Sequence, residues 1–505
     1  MRAQVVPLRN MVRYHHALQL VNKNMANDKS IALKGGLWTS VSTAVTVLTQ
    51  FARLMILTRF LEKSDFGLVS IVNMVIGLCL TFTDLGFSSA IMYKRNITQK
   101  EYSTLFWIQL IIFGLLYLVL FSLSPVVADF YDEGQLRVLI PIASLTVIFQ
   151  AFGKLYDTVL QKQYQFKVIA FRNITSNIIS LIVGVLLAWK GFGVYSLIFS
   201  TLSYAVILNT WNFISGMRVQ KVIFYCNPRS VIHLLKIGVF QTGTRILDFL
   251  SNKLDVMIIG KLLGTETLGL YDLAKNLVNT VVDLVRTVVS KVALPILSNN
   301  NDNDDAVRQR FLKMTKVVAY ICIPLCIGIA VFSKEILWIV YGSSYIEAST
   351  IMSLFAFVAM FNSICSFYDM LGVAKGRTDL NFYNTVARIL ITTPIVVLTS
   401  LISIEIVAYG QLLATILQSI AFWLIVVNHT YPVSFKYYFS HFSKWLVIQL
   451  ACYMIMYIIK PLVAITEMPV LSFMASVLIY AALLVIPTLL FMQEDITYFR
   501  NLIKR

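Results

Sequence analysis

The sequence predicts an all-α polytopic membrane protein with about 14 transmembrane helices: two six-helix lobes and a C-terminal pair. Three observations predict it. Apolar residues make up 58% of the 505 positions and charged residues 13%, against about 25% charged in a soluble domain; mean hydropathy is +0.76. The apolar residues fall into segments of roughly 20, each long enough to cross a ~30 Å hydrocarbon core. Residues 33–71 read again, ungapped, at 235–273, an offset of 202. Lys34 falls on Lys236, Gly36 on Gly238, Arg59 on Lys261 and Gly67 on Gly269. Such a duplication in a membrane chain implies two related halves with a substrate site between them.

In order, the spans lie near 35–58, 67–91, 102–127, 136–158, 166–189 and 193–217, then 232–259, 268–293, 311–332, 346–372, 380–401 and 403–427, and last 443–460 and 469–492. Polar residues interrupt 136–158, 232–259 and 268–293. The division is a cytoplasmic tail 1–29, a first lobe 30–217, a cytoplasmic linker 218–230, a second lobe 231–428, the pair within 441–492 and a tail 493–505. Translation from Met1 and from Met25 both fit this pattern. Each lobe has an even number of spans, so both share one orientation and the pseudo-two-fold lies along the membrane normal. Tyr156-Asp157 falls on Tyr368-Asp369 at an offset of 212, so about ten residues were inserted between.

The formal charge of +17 sits on one side. With the N-terminus inside, the inner segments carry Arg2, Arg9, Arg13, Lys94, Arg95, Arg218, Lys221, Arg229, Arg308 and Arg310. The outer loops are neutral or acidic, as at Asp129, Asp132 and Glu133. This positive-inside bias places both termini in the cytoplasm and removes any need for a nucleic-acid partner. The six cysteines and five histidines are scattered. No metal cluster, phosphate loop or nucleophile elbow is present, so the sequence points to no catalytic residues, metal or cofactor.

Polar stripes mark the functional face. Span seven carries Gln241, Arg245, Asp248, Asn252 and Asp255 at spacings of 4, 3, 4 and 3, one face of a helix. Span eight carries Asp272, Lys275, Asn279, Asp283, Arg286 and Ser290 likewise. Their repeat equivalents are Thr39, Thr43, Thr46, Gln50 and Arg53, and Ser70, Asn73, Gly77, Thr81, Asp84 and Ser88. Span eleven adds Asn381, Thr385, Arg388 and Thr392. A mid-bilayer charge costs about 2.5–3.5 kcal/mol, so these side chains face protein or water. Neutralisation within a helix, through the i, i+3 pairs Arg245–Asp248, Asp272–Lys275 and Asp283–Arg286, is one reading. A central aqueous cavity between the lobes also explains the uncharged polar stripes of the first lobe.

The segments G-G-L-W (35–38), T-R-F-L-E-K-S-D-F-G-L (58–68), D-L-G-F-S-S-A-I (84–91), Y-S-T-L-F-W (102–107) and L-D-V-M-I-I-G-K-L-L-G-T-E-T-L-G-L-Y (254–271) resemble the Wzx-type polysaccharide transporters. These are the colanic-acid and teichuronic-acid exporter group of the multidrug/oligosaccharidyl-lipid/polysaccharide (MOP) flippase superfamily. The likeness runs from about 30 to 430. It implies a flippase of the bacterial inner membrane that moves undecaprenyl-pyrophosphate-linked oligosaccharide by alternating access. Its partners would be that substrate, membrane lipid and other polysaccharide-assembly proteins. It also implies cavity cations that meet pyrophosphate, matched here by Arg53, Arg245, Lys275, Arg286 and Arg388. The acids Asp248, Asp255, Asp283 and Asp84 depart from a purely cationic cavity and are open to proton or sodium coupling. A cation-coupled multidrug exporter of the same superfamily, and a polytopic polysaccharide polymerase or ligase, are the alternatives.

Overall fold

The computed structural model describes residues 35–83, 87–93, 97–297, 304–365, 378–427, 429, 435–463 and 469–491. The termini, Asp84 and the Tyr368-Asp369 pair lie outside these. Eleven helices among the described residues are long and apolar enough to cross a membrane. Six come first: α1 (Gly35–Leu57), α2 (Lys63–Thr81), α3 (Gln99–Tyr131), α4 (Leu136–Lys162), α5 (Phe166–Trp189) and α6 (Val194–Met217).

The next helix runs from Ile232 to Leu297 and breaks at Gly264, whose φ of 83° suits a residue without Cβ. In a straight helix residues 255 and 271 would be about 24 Å apart. Here the Tyr271 hydroxyl donates to the Asp255 carboxylate at 2.6 Å. The two arms, α7 (232–263) and α8 (265–297), therefore fold back on each other. Five helices of the eleven follow in α9 (Asp304–Val331), α10 (Ser349–Cys365), α11 (Thr378–Ser400), α12 (Ile404–Phe422) and α13 (Phe435–Val463); α14 (Pro469–Phe491) ends the chain's described part. With both arms and α14 the long helices among the described residues number fourteen, the number the hydropathy pattern predicts, eleven of them candidate spans.

The chain forms two compact units. The first holds the described part of Met1–Leu57 with Cys79–Val127 and Gly134–Gly243. Its core packs α4 and α5 on α6. Tyr102, Phe106, Tyr156 and Phe213 form an aromatic cluster. Without a hydrophobic drive between helices in lipid, close backbone approach and interhelical hydrogen bonds do the holding. Ser180 and Ser200 bond across α5 and α6, each hydroxyl donating to the other's carbonyl at 2.7 and 2.8 Å. A Cβ on Gly153 would lie 2.7 Å from the Asn209 Cα. Because that neighbour is backbone, Gly153→Ala is expected to lower stability by about 1–3 kcal/mol, seen as earlier thermal unfolding of the detergent-purified protein. An unchanged transition would contradict this packing.

The second unit comprises Thr58–Leu78, Ala128–Glu133 and Thr244–Arg505. In it α10 packs on α9 and α12, α11 on α12, and α13 on α9 and α14. Its boundary does not follow the sequence repeat: α2 as far as Leu78, and the end of α3, belong with the second half.

Candidate functional site

In the second unit the polar stripe of α7 divides between two partners. Asp255 is buried. Its carboxylate accepts from Lys275 Nζ on α8, from the Tyr271 hydroxyl and, at 2.9 Å, from the Val256 amide. Gln411 of α12 donates to the Tyr271 oxygen at 3.3 Å. Lys275 Nζ also lies 5.6 Å from the Tyr271 ring centroid and 6.0 Å from that of Phe355, a cation–π setting. This charge pair is held inside one unit rather than aimed at water. It also replaces the Asp272–Lys275 pairing that spacing suggested: Asp272 accepts instead from Ser70 and Asn276.

About two turns earlier on α7, Asp248 is 44% exposed. Its Oδ1 accepts from Arg388 Nη2 at 3.2 Å and from the Thr385 hydroxyl at 2.9 Å. Both donors come from the polar face of α11, while Thr392 on the same helix accepts from Gln418 of α12. Arg388 is 31% exposed and the Arg388 Nε is buried without a hydrogen-bond partner. Arg245, a turn before Asp248, is exposed. Farther along α8, Arg286 and Asp283 pair at 3.1 Å, 33% and 59% exposed; this is one of the three i, i+3 pairs that spacing suggested. The arrangement can hold an anion. Arg388 and Arg245 lie on adjacent helices, and guanidinium donors match phosphate oxygens in a fork.

Arg53 belongs to the first unit. It lies within electrostatic reach of Tyr204, which is also within reach of Arg172 and Asp157. Arg172 of α5 is 3% exposed and ion-paired with Asp157 of α4, to which Gln161 also donates at 2.8 Å. The Arg172 Nη1 is buried with no hydrogen-bond partner among the described residues. Sequence reasoning singled out neither residue of this pair as a site residue. The Tyr-Asp motif at 156–157, repeated at 368–369, was the available signal. Asp84, the fourth coupling candidate, is outside the described residues.

A cavity of about 970 Å³ opens in the second unit. Trp338, Phe357, Tyr453, Tyr457 and Phe473 line it. At its edge Lys460 donates at 2.7 Å to Glu335 and to the Val331 carbonyl. Among the described residues no group of three or more His, Cys, Asp or Glu could hold a metal.

The sequence model of the family described as Polysaccharide biosynthesis protein matches residues 56–350. The teichuronic acid biosynthesis protein TuaB of Bacillus subtilis (strain 168) is 27% identical over 354 residues, 70% of this chain and 73% of that protein. The lipopolysaccharide biosynthesis protein WzxC of Escherichia coli (strain K12) is 22% identical over 82% of this chain and 84% of its own. Among solved structures, the lipid II flippase MurJ in an inward closed conformation superposes with a TM-score of 0.73 at 16% identity, covering 93% of this chain and 100% of that one. That likeness is one of fold.

Proposed function

Because this chain belongs to the polysaccharide biosynthesis protein family, we propose that it flips undecaprenyl-pyrophosphate-linked oligosaccharide across a bacterial cytoplasmic membrane. It acts as a transporter rather than an enzyme, with both termini on the cytoplasmic side. The observation that carries this is a set of part-exposed arginines within long helices of the second unit, Arg245, Arg286 and Arg388. In a chain that spans a membrane such charges are tolerated where water or an anionic partner reaches them. Arg53 completes the cation set, while Lys275 stays with Asp255. The repeats 30–217 and 231–428 rock about their common axis, with the pair 441–492 alongside. The aromatic wall of the cavity in the second unit suits the isoprenoid chain while the glycan stays in water.

Asp248 supplies the coupling chemistry. When pyrophosphate oxygens take the Arg388 donors on the cytoplasmic side, the Asp248 carboxylate loses its guanidinium. After the head group leaves on the far side, a proton or sodium ion binds Asp248 there, returns with the empty site and is expelled to the cytoplasm as Arg388 pairs with Asp248 again. Asp255, already satisfied by Lys275, and Asp283, with Arg286, are the other acids available for coupling, together with Asp84.

The test is flipping of a fluorescent undecaprenyl-pyrophosphate oligosaccharide by the purified protein in proteoliposomes, followed by its accessibility in each leaflet. Arg245→Ala should slow flipping about tenfold, the loss of roughly one charge-assisted bond, and Arg245→Lys should retain part. Wild-type protein that moves no lipid-linked glycan, or Arg245→Ala protein that moves it at full rate, sinks the reading.

A further inference from the structure

The internal repeat closes on itself at one end of the bundle. Shifted by 202, Lys63 falls on Thr265, Gly67 on Gly269 and Ser70 on Asp272. In the structure Gly67 packs on Thr265 and Gly269 packs on Lys63. A Cβ on Gly67 would lie 2.7 Å from the Thr265 carbonyl carbon, and one on Gly269 would lie 2.9 Å from the Lys63 carbonyl carbon. Each glycine thus meets the repeat equivalent of the residue that the other meets. That reciprocity is the signature of an isologous, two-fold contact. Ser70 donates to Asp272, its own equivalent at 202 residues' separation. Only a point on a two-fold axis brings a residue against its own counterpart, so the axis passes between these two side chains.

Most contacts around that point cross between the halves of the sequence, all within the second unit. Lys63 pairs with Glu347, Lys261 with Asp132 at 2.6 Å, and Thr265 donates to Glu133 at 2.8 Å. The Tyr345 hydroxyl donates to the Leu61 carbonyl at 3.4 Å. Tyr341, in the segment between α9 and α10, donates to the Leu273 carbonyl at 3.2 Å. Burial, and then the charge of Asp272, pushes its phenol up. The ion pairs involve exposed side chains and contribute little. Backbone-to-backbone contact at the two glycines does the sealing. By the loop charges this is the outer end.

We propose that Gly67, Gly269 and the Ser70–Asp272 bond form the outer gate of the transporter. It is a duplicated half-contact that seals the axis and must part for outward release. A fixed pivot at the same place is the opposing view, since a point on the axis can also be the fulcrum of rocking. The gate reading is preferred because the contact is polar at its centre. Asp272 Oδ1 is buried with no hydrogen-bond partner among the described residues, and parting exposes it to water.

The inference rests on the flippase reading for its consequence, so the experiment separates the two. With the native cysteines replaced by serine, Ser70→Cys with Asp272→Cys should cross-link under a thiol-specific oxidant, stop flipping, and recover on reduction. Cross-linked protein that flips at the uncross-linked rate makes this point a pivot and overturns the gate; a pair that never cross-links overturns the contact. A second measurement needs no substrate. Labelling of Asn73→Cys from outside by an impermeant thiol reagent should rise about tenfold with Gly67→Ala and equally with Gly269→Ala, a shift of ~1.4 kcal/mol. The double variant should add little, because either Cβ parts the same contact. Unequal or absent increases overturn the gate whatever the substrate is. A labelling result as expected, from protein that moves no glycan, sinks the flippase reading instead.

Discussion

Lys275→Ala is expected to leave little folded protein in the membrane. Removing one partner of a buried ion pair costs about 3–5 kcal/mol, since the other charge is left uncompensated. Whole-domain stability is only about 5–15 kcal/mol. Asp255 is 4% exposed, and the Tyr271 and Val256 donors are dipoles that do not replace the ammonium. The double variant Lys275→Met with Asp255→Leu should recover the yield, because well-packed apolar residues replace such a pair at little cost. Both are read as the amount of monodisperse protein and its unfolding temperature. Recovered protein that also flips glycan would confine this pair to a structural role. Single-variant protein of normal yield would contradict its burial as an ion pair.

For transport, Arg388→Ala is expected to have the largest effect. It removes a charge-assisted bond worth about 1.5–3 kcal/mol and a cation from the proposed head-group site, so flipping should fall about ten- to a hundredfold. Arg388 and Asp248 are 31% and 44% exposed, so water can solvate the orphaned acid and the protein should fold. Arg388→Lys keeps the charge without the fork and should fall between. Asp248→Asn separates two roles. If Asp248 only neutralises Arg388, flipping persists with unchanged dependence on ion gradients. If it binds the coupling ion, expression is normal and gradient dependence disappears. Flipping that stays both fast and gradient-dependent in Asp248→Asn would exclude Asp248 from coupling.

Much of the fold was readable from hydropathy because lipid imposes a length on every span and forces backbone bonds inside each helix. The interruptions at 232–259 and 268–293 turned out to be the two arms of one long helix broken at Gly264. Their polar residues are the network around Asp255 and the pair at Asp248. The candidate site was readable in part. The stripe on α11 correctly brings Thr385 and Arg388 to one partner. That the partner is Asp248 on α7 could not be read, and neither could Arg172–Asp157 between α4 and α5.

By itself the sequence determined that the chain spans a membrane, how many times, that it is a duplication, and which residues share a helical face. Each of these follows from local rules: hydrocarbon thickness, the 3.6-residue turn and self-similarity along the chain. The tertiary structure alone decided which cation meets which acid, that Asp255 turns inward while Asp248 stays open, and that Ser70 meets its own repeat equivalent at Asp272. Those facts depend on how far each helix is rotated about its axis and which neighbour it packs against. Periodicity fixes a face but leaves that rotation free, and close packing of glycines and side chains through space sets it.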